Sequence, residues 1–157
     1  MKTTFTVTTQ IRATPAQVFW FLADPSTASV IDPAVVTYEP DGGTMGLGVT
    51  NRARLRMMGL PVTLTTETVT WEPGRAMGFR SVRPARPAIG VATHLFEECR
   101  DGTSYSWSMT FVPTSFGGRV VSRVAVGLFE RNAVLQQERV RIVIEAALRG
   151  SPCSPST

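Results

Sequence analysis

The hydrophobic and polar residues of this chain repeat with two different periods. Residues 3–11 alternate and are rich in β-branched types, which predicts a first strand. After Pro113 the period lengthens to 3.6, which predicts one long helix from Arg119 to Arg149, closed by Gly150. Alternation and turn residues in between predict six more strands, over residues 34–39, 49–57, 62–71, 75–82, 90–100 and 103–111.

Two short helices are predicted directly after the first strand. Thr14 can cap the first of them, and Gln17, three residues later, completes a capping box around a proline at the first helical position. This helix ends at Asp24 and the proline that follows it. A second helix, beginning at Asp24 or Ser26, extends to about Ile31.

The dipeptide Asp101-Gly102 predicts a two-residue hairpin turn. Residue 100 would then oppose residue 103, and one face of this hairpin would be aromatic while the other is rich in hydroxyl groups. The aromatic face is therefore expected to point inward. Its opposed pairs would be Ala92 with Phe111, His94 with Met109, Phe96 with Trp107, and Glu98 with Tyr105.

A second hairpin is predicted around residues 58–61, with Met57 opposite Val62. Its outer face would carry a row of arginines. Its inner face would keep three polar residues that a dry core disfavours. The outer row is Arg52, Arg54 and Arg56, and the inner polar residues are Asn51, Thr66 and Thr68.

The long helix is predicted to pack one apolar face, including Leu135, Val140 and Ile142, against the sheet. Three polar residues lie near the middle of that face: Asn132, Gln136 and Arg139. Polar side chains facing inward from both helix and sheet indicate an enclosed cavity rather than a solid core.

The composition is that of a single soluble globular domain, with 43% hydrophobic and 18% charged residues. We assign residues 1–149 to this domain and residues 150–157, rich in Pro and Ser, to a disordered tail. No apolar leader or membrane-spanning run is present in the sequence, which favours a cytoplasmic protein without membrane insertion.

The net charge of +4 does not by itself indicate an anionic partner. All the basic residues except Lys2 are arginines, and they are scattered without a nucleic-acid-binding motif, so no nucleic-acid partner is expected. Cys99 and Cys153 are far apart and lack metal-site spacing, so we expect reduced thiols, no metal and no cofactor.

The order of strand, two short helices, antiparallel strands and long helix resembles the helix-grip fold of the START/birch-pollen-allergen (SRPBCC) superfamily, within it the polyketide cyclase/dehydrase-like branch. The resemblance covers residues 3–148 and rests on IRATPAQVFWFLADP, on WEPGR at 71–75, on DGTSYSW at 101–107 and on the last helix. It implies an α+β fold in which a curved antiparallel sheet wraps around the C-terminal helix. It also implies a hydrophobic ligand bound between the two.

Three residues are candidates for catalysis. His94 would be a general acid/base with a pKa near neutrality, or else a buried imidazole with a hydrogen-bonding neighbour. Tyr105 would polarise a ligand carbonyl, or pack with its hydroxyl satisfied. Arg139 would pair with Glu98 or a ligand carboxylate, or else extend into water.

Nine further residues are candidates for ligand binding. Asn51, Thr66, Thr68, Asn132 and Gln136 would orient a ligand by hydrogen bonds. Phe96, Trp107 and Met109 would form either the pocket wall or plain core. Glu98 would lie at the rim or act as an acid.

These observations leave three kinds of function open. The first is a cyclase, aromatase or dehydratase-type enzyme of secondary metabolism without a cofactor. The second is a non-catalytic carrier or sensor of a lipid or aromatic metabolite. The third is an interaction module that uses the arginine row. For the enzyme, an acyl carrier protein is an expected partner. This chain itself is expected to be a monomer or homodimer. The loop with Arg80, Arg83 and Arg86 would either guard the pocket mouth or be merely solvated.

Overall fold

Seven antiparallel strands and a long C-terminal helix make up the fold. The computed structural model describes residues 3–57, 59–84 and 88–150. The strands lie in one sheet in the order β1-β7-β6-β5-β4-β3-β2, which confirms the predicted α+β helix-grip architecture. The strands are β1 Thr3–Ile11, β2 Val35–Pro40, β3 Thr50–Met57, β4 Leu60–Glu72, β5 Ala76–Arg83, β6 Ala88–Cys99 and β7 Gly102–Pro113.

Three α-helices accompany the sheet: α1 Pro15–Ala23, α2 Ala28–Ile31 and α3 Phe116–Arg149. The predicted capping box is present, since the Gln17 amide donates to Thr14 Oγ1 (3.2 Å) and the Thr14 amide donates to Gln17 Oε1 (2.9 Å). A one-turn 3₁₀ helix, Pro25–Thr27, joins α1 to α2. Helix α3 begins three residues earlier than predicted because Ser115 caps it, its Oγ accepting from the Gly118 amide.

The register of the β6–β7 hairpin differs from the predicted one by two residues. Arg100 and Asp101 form the connection, and Cys99 opposes Gly102. Gly102 has φ +142°, and a Cβ there would lie 2.2 Å from the carbonyl oxygen of Ile11, so this glycine serves the close approach of β1. A register error of two residues keeps every side chain on its predicted face of the sheet. The observed pairs are Ala92–Met109, His94–Trp107, Phe96–Tyr105 and Glu98–Thr103.

The β3–β4 hairpin is also displaced by two residues from its predicted pairing. Met57 opposes Leu60 and Asn51 opposes Thr66, so the connection is shorter than the four residues predicted. Residue 58 lies outside the described residues. The arginine row of β3 is exposed, and the opposite face points inward, both as predicted.

The buried face of α3 is rotated by one residue from its predicted position. Each of the three polar residues predicted at its centre directly precedes a residue that is buried. Leu135 and Ile142, predicted to pack inward, are exposed. One residue corresponds to about 100° around a helix. Among the α3 residues whose side chains are described, the buried positions are Gly118, Ser122, Ala133, Gln137 and Ile144, together with Val140, which was predicted to pack inward.

The apolar core lies at the end of the sheet where β1 leads into α1. Phe19 of α1 meets Phe96 and Trp71 edge to face, and Ile144 of α3 is fully buried in the same cluster. The backbone amide of Arg12 donates to Glu145 Oε1 (3.0 Å), which ties α3 to the end of β1. The core therefore closes one end of the space between helix and sheet.

Several sequence predictions fall on parts of the chain outside this description. The predicted disordered tail is one of them, since residues 151–157 with Cys153 are not described, and Arg86 is another. Cys99 has a free thiol. Arg80 pairs with Glu67 on the outer face of the sheet (2.7 Å). No helix among the described residues is long and apolar enough to cross a membrane.

Candidate functional site

A cavity of about 520 Å³ separates the inner face of the sheet from α3 and α2. Its size falls within the range of small-molecule sites. Most of the side chains around it are apolar, including Leu55, Leu64, Met77, Phe79 and Val140. The polar side chains of its wall are fewer: Asp24, Asp32, Tyr38, Thr66, Ser81, His94, Tyr105, Gln136 and Gln137.

Three polar side chains form a hydrogen-bonded chain at the inner wall of the cavity. The Tyr105 hydroxyl lies 2.7 Å from Nδ1 of His94, and the two rings are nearly parallel. The side chain of Gln137, on α3, hydrogen-bonds to the same hydroxyl. This last bond lowers the pKa of the phenol against the effect of burial, as expected if the amide N–H donates to the oxygen.

Burial sets the protonation of both rings. It lowers the pKa of His94 to about 4, not near neutrality as the sequence suggested, so the imidazole is neutral at physiological pH. It also raises the pKa of Tyr105 well above its usual range, so the hydroxyl keeps its proton. Among the described residues, His94 Nδ1 is the acceptor at hydrogen-bond distance from this hydroxyl, so we assign the hydroxyl proton to it. The second imidazole nitrogen, Nε2, then carries the ring proton.

Aromatic rings surround His94. Phe79 meets the imidazole edge to face at 5.7 Å, and Trp107 lies roughly parallel to it at 6.3 Å. Phe79, Trp107 and His94 all line the cavity. Nε2 has no hydrogen-bond partner among the described residues.

Tyr38 provides a second hydroxyl in the wall. Its side chain hydrogen-bonds to Thr66 on β4, and burial raises the pKa of Tyr38 to about 12. Thr66 lines the cavity as predicted, and so do Trp107, Met109 and Gln136. The two tyrosines thus place neutral hydroxyl groups at separate positions of the wall.

The remaining charge in the wall is negative. Asp32, after α2, accepts from Gln136 Nε2 at 3.1 Å and from the Ala34 amide at 2.9 Å. Asp24 accepts from the backbone and hydroxyl of Ser26, which lowers the pKa of its carboxyl group. Among the described residues that line the cavity, none is Lys or Arg.

Three predicted ligand-binding residues are buried away from the cavity. Phe96 belongs to the apolar core, because the α1 ring Phe19 packs on it. Asn51 and Thr68 are almost fully buried and bind each other, Asn51 Nδ2 donating to Thr68 Oγ1 at 3.0 Å. This pair lies where the loop after β2 covers β3 and β4, since the Gly48 amide donates to the Thr68 carbonyl.

Three other predicted site residues are exposed. Asn132 and Arg139 lie on the outer side of α3 because of the one-residue rotation of its buried face. Arg139 Nε donates to the Val30 carbonyl (3.1 Å), so this arginine fastens α2 to α3 and does not reach the cavity. Glu98 is exposed near the end of β6 and does not line the cavity.

Tyr38, Gln137 and Asp32 line the cavity although they were not predicted as site residues. Tyr38 stands between Thr37 and Glu39, an alternation that predicts an inward ring. Gln137 belongs to a helical repeat with spacings of four, three and four, formed by Ala133, Gln137, Val140 and Ile144, which could have located the buried face. No sequence signal indicated Asp32.

No group of three or more His, Cys, Asp or Glu side chains that could hold a metal ion is present in the described part of the chain.

A family model described as polyketide cyclase/dehydrase and lipid transport matches residues 2–145. No curated protein matches the chain.

Solved structures share the fold at low identity. The Zhui aromatase/cyclase from Streptomyces sp. R1128 superposes with a TM-score of 0.75 and 20% identity, covering 96% of each chain. The di-domain ARO/CYC StfQ from the steffimycin biosynthetic pathway superposes with a TM-score of 0.77 and 11% identity, and 96% of this chain covers 53% of that one. Ara h 8.0201 gives 0.71 and 12%, over 93% of this chain and 99% of that one.

Proposed function

Because this chain belongs to the polyketide cyclase/dehydrase and lipid transport family, we propose that it binds a neutral, largely apolar, polyketide-like molecule in the cavity and promotes its cyclisation and dehydration. Aromatase/cyclases are among the proteins that share its fold. The observation that carries the proposal is the 2.7 Å contact between Tyr105 and His94 in a largely apolar wall.

This contact prepares His94 to donate a hydrogen bond to the ligand. Tyr105 occupies Nδ1, which leaves the proton on Nε2 and makes that nitrogen a donor. A ligand carbonyl oxygen next to Nε2 would be polarised, and the low dielectric of the cavity strengthens the interaction. His94 would thus act as an electrophilic donor, not as the general base suggested by the sequence.

The proposed reaction needs no oxidant or reductant. An enol carbon of the substrate forms a C–C bond to the polarised carbonyl carbon. The enol oxygen loses its proton as it becomes a carbonyl oxygen, and the attacked oxygen gains a proton and becomes a hydroxyl group. Loss of this hydroxyl with a neighbouring C–H proton releases water and forms a double bond. The cavity contributes mainly by holding the flexible chain in the geometry that closes one ring.

The charges of the wall favour a neutral ligand. Asp24 and Asp32 are the charged groups among the described lining residues, and no arginine or lysine offsets them. A carboxylate in the cavity would therefore be desolvated without a partner and repelled by both aspartates.

A non-catalytic carrier remains the second candidate, and the low pKa of His94 favours it. A neutral imidazole with a pKa of about 4 is a weak base, so it is poorly suited to abstract a carbon-bound proton.

The remaining expectations from the sequence belong to the proposed enzyme. It would be a cytoplasmic monomer or homodimer that receives its substrate from an acyl carrier protein.

The first test uses a naphthyl methyl ketone with a labelled carbonyl group as probe. We expect the ketone to bind, with its carbonyl infrared band shifted to lower frequency by the hydrogen bond. His94→Leu should keep the binding and lose the shift. An unshifted band in the wild-type protein would contradict the role of His94.

The second test separates enzyme from carrier. A poly-β-ketone thioester is incubated with and without protein, and the products are identified by mass spectrometry. The enzyme should give one dominant cyclised product that has lost water, and His94→Leu should return the spontaneous mixture. The same mixture from protein that still binds the ketone would favour the carrier.

A further inference from the structure

We propose that the open end of the cavity docks on the surface of an anionic phospholipid bilayer. The docking face, called here the mouth surface, consists of Leu60, Phe116, Arg54, Arg56, Arg83 and Arg119. Three features support this docking: the place where the cavity opens, the charge of the surrounding chain segments, and the exposed apolar side chains at their tips.

The cavity reaches solvent at one end of the sheet. Met57, at the end of β3, and Pro84, after β5, both line the cavity and are both exposed. Because the strands are antiparallel, the starts of β1, β2, β4 and β6 and the ends of β3, β5 and β7 all lie at this end. Helix α3 begins there too, three residues after β7.

Arginine predominates in the chain segments that reach this end, and Asp32, whose carboxylate is held by Gln136 and the Ala34 amide, is the acidic residue that lies beside the end of β3. Residues 50–66, 81–96 and 103–129 contain seven arginines and neither Asp nor Glu, although the chain has 12 acidic residues. Among the described residues, none of the four arginines of the mouth surface forms an ion pair. The acidic residues of the strands lie towards the opposite end of the sheet, whereas Asp32 precedes the start of β2 at this end. The strand residues are Glu39, Glu67, Glu72, Glu97 and Glu98.

Large apolar side chains protrude among these arginines. Leu60 is 68% exposed in the β3–β4 hairpin, and Phe116 is 82% exposed at the start of α3, with the Arg119 guanidinium 5.9 Å from its ring centre. Leu60 and Phe116 protrude from two different tips, the β3–β4 hairpin and the start of α3. The cavity opens between these two elements. Apolar side chains that enter the interface, beside arginines that meet lipid phosphates, are the composition of a peripheral membrane contact.

A bilayer fits this surface better than an acidic protein does. A stable protein partner needs a closely fitting patch of roughly 800 Å² per side. Isolated apolar tips around an opening offer no such patch, whereas a fluid bilayer accommodates each tip separately. Docking there would let an apolar ligand pass between bilayer and cavity without crossing water. It would be peripheral and would require no membrane-spanning helix.

The test is sedimentation of the full chain with vesicles, without any cavity ligand. Vesicles of phosphatidylcholine with about 30% phosphatidylglycerol should bind the protein, and vesicles of phosphatidylcholine alone should not. Raising the salt from about 0.05 M to about 0.5 M should release it.

Matched variants locate the contact. Leu60→Ser and Arg56→Glu should each weaken the partition coefficient, the charge reversal by about tenfold or more. Leu47→Ser alters a side chain of equal exposure (68%) at the opposite end of the sheet, and Arg75→Glu reverses an exposed charge there. These two controls should bind as the wild-type protein does, and all four should keep the wild-type circular dichroism.

Three results would overturn the proposal. One is no binding to the anionic vesicles. Another is an equal loss in the variants at the two ends, which would indicate attraction by net charge alone. The third is binding to polyglutamate that depends on Arg56 and not on Leu60, with no binding to vesicles, which would point to an acidic protein. None of these results depends on the cyclisation chemistry.

Discussion

The Tyr105 hydroxyl lies 2.7 Å from Nδ1 of His94, on rings that are 12° from parallel and that extend from neighbouring strands. Tyr105 opposes Phe96, and His94 opposes Trp107, so the contact runs diagonally between adjacent cross-strand pairs. The diagonal allows one hydroxyl to fix the tautomer of a histidine whose other nitrogen remains unpaired among the described residues.

Removing this hydroxyl should change ligand orientation more than affinity. Tyr105→Phe leaves Nδ1 without its donor, so the imidazole can exchange tautomers, and we expect turnover to fall by about tenfold or more while affinity for the naphthyl ketone changes little. Tyr38→Phe removes a hydroxyl from the same cavity without touching His94. Stopped-flow turnover and fluorescence titration compare the two variants, and an equal effect of both would contradict the role of Tyr105.

Stability should decline between pH 6.5 and 4 because of His94. The unfolded histidine takes up its proton near pH 6.5 and the folded one only near pH 4, so acid favours the unfolded state across this window. The shift corresponds to about 3 kcal/mol, fully present as stability above pH 6.5 and lost by pH 4. Urea denaturation along the pH series should show a smaller decline for His94→Gln. An identical decline would refute the shift.

The Asn51–Thr68 pair should matter for stability and not for ligand binding. Thr68→Val removes the acceptor of a buried amide, which should lower the free energy of unfolding by about 1 to 3 kcal/mol. Neither residue lines the cavity, so the ketone affinity should stay the same. Thr66→Val, the same change two residues away, alters the cavity wall. If Thr68→Val weakened ketone binding more than Thr66→Val does, the placement of Thr68 away from the cavity would be wrong.

The rotation of α3 predicts opposite outcomes for two amides on this helix. Gln137→Leu should change ketone affinity several-fold, because it removes the donor to Tyr105 and a cavity-lining group. Asn132→Leu is a comparable substitution on the exposed side, and should leave both affinity and unfolding unchanged within about 0.5 kcal/mol. Calorimetric titration measures both variants, and the reverse pattern would restore the face inferred from the sequence.

Ligand charge should decide affinity. The naphthyl ketone and naphthoate have nearly the same shape, but the carboxylate would be buried without a cation beside Asp24 and Asp32. We expect naphthoate to bind at least about tenfold more weakly at pH 7. The substitution Asp32→Asn should narrow the difference in affinity between the naphthyl ketone and naphthoate. Equal affinities in the wild-type protein would show that the ligand carboxylate finds a partner or stays in water.

The sequence by itself determined the order of elements and which face of each strand points inward. Both hairpin predictions erred by two residues, and the period of a strand is also two, so His94, Tyr105 and Thr66 kept their inward orientation. A helix has no such tolerance. One residue of error corresponds to about 100° around α3, so Asn132 and Arg139 point outward while Ala133 and Gln137 are buried, and Val140 is buried as predicted.

Only the tertiary structure decided which inward side chains meet a cavity and which meet the core. His94 and Phe96 are two residues apart on one face of β6, yet His94 lines the cavity and Phe96 is covered by Phe19 of α1. That difference depends on where α1 and α3 cross the sheet, which is set by packing between residues distant in sequence. Local periodicity specifies the direction of a side chain, whereas the position of the opposing element specifies what it contacts.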